Sequence, residues 1–168
     1  MRNEHTGAET YWSNSILHRQ SGKLLETSVS KISADDIEKL SGGWLFDWKS
    51  EASSYDVYKL VLTEDTAKVQ GLISLEERRG YFHVYLVENA PHNRGLNKEY
   101  EGAAGNLFAF ACLLSLEKGY GGYISFEAKT DLIVHYQKTL GARRIGNSIR
   151  MFIDEARAQQ LIQIYFLK

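Results

Sequence analysis

The sequence predicts an α/β protein built on one mixed, mostly antiparallel sheet flanked by helices. Three observations carry this. Apolar residues alternate over 57–62, 69–75 and 81–88 with only short turns between them, the pattern of an antiparallel meander. A helix from Leu107 to Leu116, apolar nearly all the way round, follows and leads to a further strand over 123–128. That strand–helix–strand unit predicts a parallel, right-handed crossover. A later amphipathic helix, a strand over 149–153 and a final helix complete a mixed sheet.

Length and composition bound the rest. At 168 residues, with 43% hydrophobic and 24% charged residues, the chain reads as one globular domain over 1–168. A net charge of −1 gives no electrostatic footprint for nucleic acid or an anionic membrane, so neither is expected as a partner. No apolar run reaches membrane-spanning length and residues 1–20 lack a signal-peptide core, so a cytoplasmic protein is expected. The single cysteine, Cys112, lies in the apolar helix and suits a reducing compartment. It reads as packing rather than as a nucleophile. His5, His18, His83, His92 and His135 are scattered without ligand spacing, so no metal is expected. Composition leaves oligomerisation open.

In chain order, residues 1–23 are polar with Tyr11, Trp12, Ile16 and Leu17 as anchors, either an arm or a short helix. Leu24 to Ile32 alternates loosely as a first strand. Ser33 caps a short helix carrying Asp35 and Asp36 at its positive end, and Gly42-Gly43 stops it. Trp44 and Trp48 read as core ahead of pocket lining, and the polar run 49–54 as a loop. In the meander, Gly71, Ile73 and Leu75 share one side. Residues 76–80 form a charged turn into the next strand, where Phe82, Val84 and Leu86 oppose Tyr81, His83, Tyr85 and Val87. Pro91 ends that strand. Gly119 to Gly122 closes the apolar helix, and Thr130-Asp131 caps a helix with Leu132, Tyr136 and Leu140 on one stripe, terminated by Gly141. Asp154 caps a last helix that turns Ala158, Leu161, Ile162 and Tyr165 inward.

The apolar helix opens on Gly102-Ala103-Ala104-Gly105-Asn106. Small residues there let an anion reach the free N–H groups of the first helical turn, where the helix dipole favours its charge. Close packing explains the same residues equally well. Neither a dinucleotide fingerprint nor a Gly-Lys-Ser/Thr loop is present.

The order of elements over residues 24–153 resembles the GNAT superfamily of acyl-CoA-dependent N-acetyltransferases. Glu99 to Leu107 is similar to its pyrophosphate motif, (Gln/Arg)-x-x-Gly-x-(Gly/Ala)-x-x-Leu, with Gly102, Ala104 and Leu107 in place. His135 to Ala142 resembles its late helix ending in Tyr-x-x-x-Gly-(Phe/Ala), with one extra residue between Tyr136 and Gly141. Glu99 stands where the family carries Gln or Arg, so Lys98 or Arg94 must compensate or Glu99 must face solvent. The resemblance implies acetyl-CoA or another acyl-CoA as co-substrate. It places the cofactor on Leu86 and Val87, on Gly102, Ala103, Ala104, Gly105 and Asn106, and on Thr130. It also implies a small-molecule or protein amine as acceptor and Tyr136 as the acid for the departing thiolate. For the base the strand end offers Glu88, with His83 and Tyr85 as further candidates. The plainer readings are a solvated carboxylate for Glu88 and a core side chain for Tyr136. The alternative function is an inactive binding or regulatory module on the same fold.

Overall fold

The computed structural model describes residues 10–166. A hairpin of β1 (Thr10–His18) and β2 (Leu24–Lys31) opens the chain, followed by two short helices, α1 (Ala34–Glu38) and α2 (Trp48–Ser54). The meander is β3 (Asp56–Leu62), β4 (Asp65–Arg78) and β5 (Tyr81–Asn89). A connection containing the two-residue strand β6 (Tyr100–Glu101) leads to α3 (Ala103–Glu117), then β7 (Ile124–Glu127) and α4 (Ile133–Leu140). The described chain closes with β8 (Arg143–Arg144), β9 (Arg150–Ile153) and α5 (Glu155–Phe166). All strands join one sheet in the order β6-β1-β2-β3-β4-β5-β7-β9-β8. Every adjacent pair is antiparallel except β5 with β7. The mixed, mostly antiparallel architecture is therefore observed.

The sheet carries a layer on each face. Leu72 packs with Trp48 of α2 and Val57, while its neighbour Ile73 joins the larger core with α3 and α5. Successive strand residues point to opposite faces, so α2 and α3 lie on opposite sides. The α3 residues Leu107, Ala109, Phe110, Ala111 and Cys112 are all fully buried, because α5 covers the side of the helix that the sheet does not. Cys112 is a packing residue, its thiol pushed well up by burial.

Several local expectations change. Residues 10–18 form an edge-side strand rather than an arm or a helix, and residues 1–9 lie outside the described part. The run 49–54 is helical: Asp47 accepts from the Ser50 N–H, and Trp48 anchors the turn on the sheet. Strand β4 continues through the charged residues to Arg78. Ser33 caps α1 as expected, and Asp36 returns the bond in a reciprocal capping box, but α1 ends at Glu38, before Gly42. Thr130 and Asp131 make no side-chain cap; Thr130–Leu132 is a single 3-10 turn ahead of α4. Asp154 does cap α5, accepting from the Arg157 N–H at 2.9 Å.

Strand β1 is tied to α3 by a polar contact inside the core. Asn106 is fully buried, and its Nδ2 donates to Ser13 Oγ at 2.7 Å and to Ser15 Oγ at 2.9 Å. Asn106→Ala strips two buried hydroxyls of a shared donor and is expected to cost about 1–3 kcal/mol. Urea denaturation of the two proteins measures this, and an unchanged midpoint would mean that water replaces the amide.

Candidate functional site

Strands β5 and β7 pair through only three rows: Phe82 with Ile124, His83 with Ser125, and Val84 with Phe126. Beyond them β5 runs on to Asn89 while β7 stops at Glu127, so the two parallel strands part and leave a gap. The parting begins at a bulge. Against β4, Ser74 faces Leu86 and Leu75 faces Val84, which leaves Tyr85 as an extra residue in β5. A bulge bends its strand and reverses its side-chain phase. The expected grouping of Leu86 with Phe82 and Val84 is accordingly overturned. Val87 packs towards the α3 core with Phe82 and Val84, whereas Leu86 packs with the Trp48 layer.

The bulge also sorts the backbone amides. Leu86 N–H donates to Ser74 Oγ at 3.1 Å, and Ala90 N–H to the Gln70 carbonyl at 3.0 Å. Both therefore face β4. The N–H of Val87, of opposite parity, faces the gap. Of the two backbone positions expected at the acyl group, Val87 has its amide directed at the opening and Leu86 has not.

At the other end of the site, Gly102 holds φ 104° and caps α3, a conformation that disfavours any side chain. A Cβ there would stand 3.0 Å from the Ser15 carbonyl oxygen. The first helical bond runs from Asn106 N–H to the Gly102 carbonyl at 2.9 Å. The Asn106 amide is thus part of the helix ladder and is withdrawn from the expected anion-binding set. The amides of Ala103, Ala104 and Gly105 precede that bond, and among the described residues none has an acceptor. Gly105 has a packing role as well: a Cβ would run into the Tyr165 hydroxyl from α5. Thr130 is exposed, just past the end of β7.

The two expected proton-transfer residues are engaged otherwise. Glu88 is 5% exposed and closely surrounded by donors. Leu45 N–H reaches Oε2 at 2.7 Å, Phe46 N–H reaches Oε1 at 3.3 Å, and Trp48 Nε1 reaches Oε1 at 2.8 Å. Arg94 pairs with Oε2 at 3.7 Å. The side chain is thus neither a solvated carboxylate nor one with a free face; it fastens the 45–48 segment to β5. Tyr136 packs its ring against Phe108 at 5.7 Å and Phe126 at 5.3 Å, and burial pushes its hydroxyl pKa up. Its stripe on α4 is Ile133, Tyr136 and Leu140 rather than one beginning at Leu132.

The charges around the opening of α3 are paired. Glu99 meets Lys68 at 3.4 Å, a partner distant in sequence and invisible to local reading. The cations expected to compensate it are bound elsewhere, Lys98 near Glu101 at 3.7 Å and Arg94 at Glu88. Sequence reasoning also missed Ser74, whose hydroxyl fixes the bulge, and Ser125, whose Oγ lies 2.8 Å from His83 Nδ1. Neither serine has a distinguishing local pattern. Among the described residues no cluster of three or more His, Cys, Asp or Glu could hold a metal ion, and no helix is long and apolar enough to cross a membrane.

No family model matches the chain, and no curated protein matches it by sequence. Solved structures do. A mutant AtaT toxin bound to the C-terminus of its antitoxin AtaR and acetyl-CoA aligns with a TM-score of 0.56 at 16% identity, over 81% of this chain and 98% of that one. The KacTA–DNA complex gives 0.59 at 15% identity, over 82% and 98%. A ribosomal-protein-alanine N-acetyltransferase from Escherichia coli gives 0.55 at 12%, over 76% and 93%. AtaT is also seen with acetyl-methionyl-tRNA, at 0.55 and 13% identity over 81% and 99%. At these identities the likeness is one of fold, and the fold of this chain is that of the GNAT acetyltransferases.

Proposed function

We propose that the chain is an acyl-CoA-dependent N-acyltransferase that moves an acetyl group from acetyl-CoA to an amine of a small molecule or protein. The observation that carries this is the parting of β5 from β7 beside the open first turn of α3. The Ala103, Ala104 and Gly105 amides suit a pyrophosphate, with the helix dipole adding to them. The gap suits the pantetheine arm, since ligands of α/β sheets lie at the carboxyl ends of parallel strands. Val87 N–H suits the oxyanion that forms when the thioester carbonyl is attacked, and exposed Thr130, soon after the end of β7, suits a cofactor contact.

We keep Tyr136 as the proton donor to the thiolate, although a raised pKa makes it a weaker acid. Glu88 we assign to holding the 45–48 segment, because both its oxygens accept from that segment. A net charge of −1 favours an uncharged or small acceptor, in a cytoplasmic setting, over nucleic acid. Because AtaT is seen with acetyl-methionyl-tRNA, an aminoacyl-tRNA belongs among the acceptors assayed. The second reading, a silent binding module, is favoured by the engagement of both Glu88 and Tyr136 in packing.

Calorimetric titration with acetyl-CoA tests the cofactor site. Ala104→Glu places a carboxylate at the positive end of α3, which the helix tolerates but a phosphate does not. Affinity is expected to fall at least about tenfold with the melting temperature unchanged or raised. Glu99→Gln should alter affinity by less than about twofold, because Glu99 already pairs with Lys68. A wild type that binds neither acetyl-CoA nor CoA ends the transferase reading; binding without CoA release leaves the module.

Glu88→Ala leaves three donors without an acceptor and should destabilise the protein by about 3 kcal/mol or more in denaturant melts. Glu88→Gln, which keeps an acceptor oxygen, should lose less. A Glu88→Gln enzyme that is fully folded yet inactive would return Glu88 to the role of base.

A further inference from the structure

The face of the sheet opposite α3 carries a cluster that the cofactor site does not use. His83 and Ser125 lie directly across from each other in β5 and β7, one row before the strands part, with Nδ1 and Oγ 2.8 Å apart. The Tyr85 ring stands edge-on to the imidazole at 4.7 Å, and Tyr55, just after α2, stacks on Tyr85 at 3.8 Å. The Tyr85 hydroxyl is pinned in turn, accepting from Arg78 at 2.6 Å and donating to Glu76 at 3.0 Å. Ser125 and Tyr85 thereby hold one ring, with Tyr55, Arg78 and Glu76 fixing Tyr85 in turn, and the other ring nitrogen has no partner among the described residues.

We propose that His83 is the base that takes the proton of the acceptor amine, with Ser125 as the residue that holds its ring; this rests on the acyl-transfer reading. With Nδ1–H donated to Ser125, Nε2 carries the lone pair. At about 3.3 Å of rise per residue, the three rows of β4 from Glu76, opposite His83, to Ile73, opposite Val87, put the ring roughly 10 Å along β5 from the oxyanion amide, so the proton passes to Nε2 through water. The amine thus reaches the thioester from the tyrosine face, while the cofactor occupies the α3 side.

The step balances as follows. Through bridging water Nε2 takes one proton from the ammonium, and the freed amine lone pair attacks the thioester carbonyl carbon. The tetrahedral oxyanion collapses as the C–S bond breaks, the nitrogen releases its second proton to water, the CoA thiolate takes a proton from the Tyr136 hydroxyl, and the imidazolium's proton returns through solvent to the tyrosinate. Amide, CoA thiol and one proton result.

The surroundings suit this role. Burial lowers the imidazole pKa below its ordinary 6.5, and Arg78 and Arg150 lower it further against the opposing pull of Glu127 and Glu76. His83 is consequently neutral, and competent as a base, at pH 7. Activity should fall on the acid side as pH drops through that lowered value.

CoA release from acetyl-CoA tests the proposal, with phenethylamine, a lysine-ended peptide, an aminoacyl-tRNA and water alone as acceptors. His83→Asn keeps a partner for Ser125 but cannot accept a proton at pH 7. It is expected to lower kcat/KM at least about thirtyfold, abolish the acid limb of the pH profile and leave acetyl-CoA affinity within about twofold. Added imidazole should restore part of the rate. His83→Gln checks for a folding defect. Should both variants fail to fold, Ser125→Ala must shift the acid limb without changing cofactor affinity. A rate within about threefold of wild type, with the acid limb intact, overturns the proposal and leaves acyl transfer standing. A wild type that binds acetyl-CoA but releases no CoA with any acceptor overturns both the base and the reaction, leaving only a binding module.

Discussion

One extra residue in a strand, Tyr85, sets the geometry on which the candidate site depends. Without it β5 would keep strict alternation against β4, and Leu86 would face the α3 core with Phe82 and Val84. The bulge turns Leu86 and Glu88 to the α2 side and Val87 to the α3 side. It directs the Val87 amide away from β4 at the level where pairing with β7 has just ended. Ser74 stabilises the irregularity by accepting the Leu86 N–H that the disturbed ladder would leave unpaired. The gap, the exposed amide and the buried carboxylate thus have a common origin.

The second constraint is that α3 has no polar face to offer solvent. Such a helix needs cover all round, and α5 supplies what the sheet does not. Its start is held from two directions: β6 pairs with β1, and Asn106 bonds Ser13 and Ser15 on the same strand. A helix start fixed in this way keeps three amides in a constant arrangement, the preorganisation that an anion site requires.

The legible parts of the sequence were those with local periodicity. The meander, the apolar α3, the strand after it and the cap at Asp154 all follow from residue spacing. Strand β1 escaped because its register with β2 shifts between Asn14 and Ile16, and because its buried positions include Ser13 and Ser15, which read as polar. Helix α2 escaped because Trp48 is its single buried residue, too little for a period to emerge. The role of Glu88 could not be read locally, since its donors come from the segment some forty residues earlier that includes Trp48. The small residues opening α3 admitted a packing and a binding reading at once, and the structure bears on both: Gly105 accommodates Tyr165, while the first-turn amides have no acceptor among the described residues.

Electrostatics around that opening then favour backbone over side chains. Glu99 pairs with Lys68, Glu101 with Arg19 and Lys98, and Glu88 with Arg94. The pairs on Glu99 and Glu101 are exposed and add little to stability, yet they cancel charge locally. An unpaired carboxylate about 6 Å from a phosphate would oppose it by roughly 3 kcal/mol at an effective dielectric near 20, and pairing removes most of that. What is left to attract an anion is the helix start itself, through amides at hydrogen-bond range. Attraction of that kind depends on contact rather than on long-range field. It is screened by salt far less than a basic patch would be, in keeping with a chain whose net charge is −1.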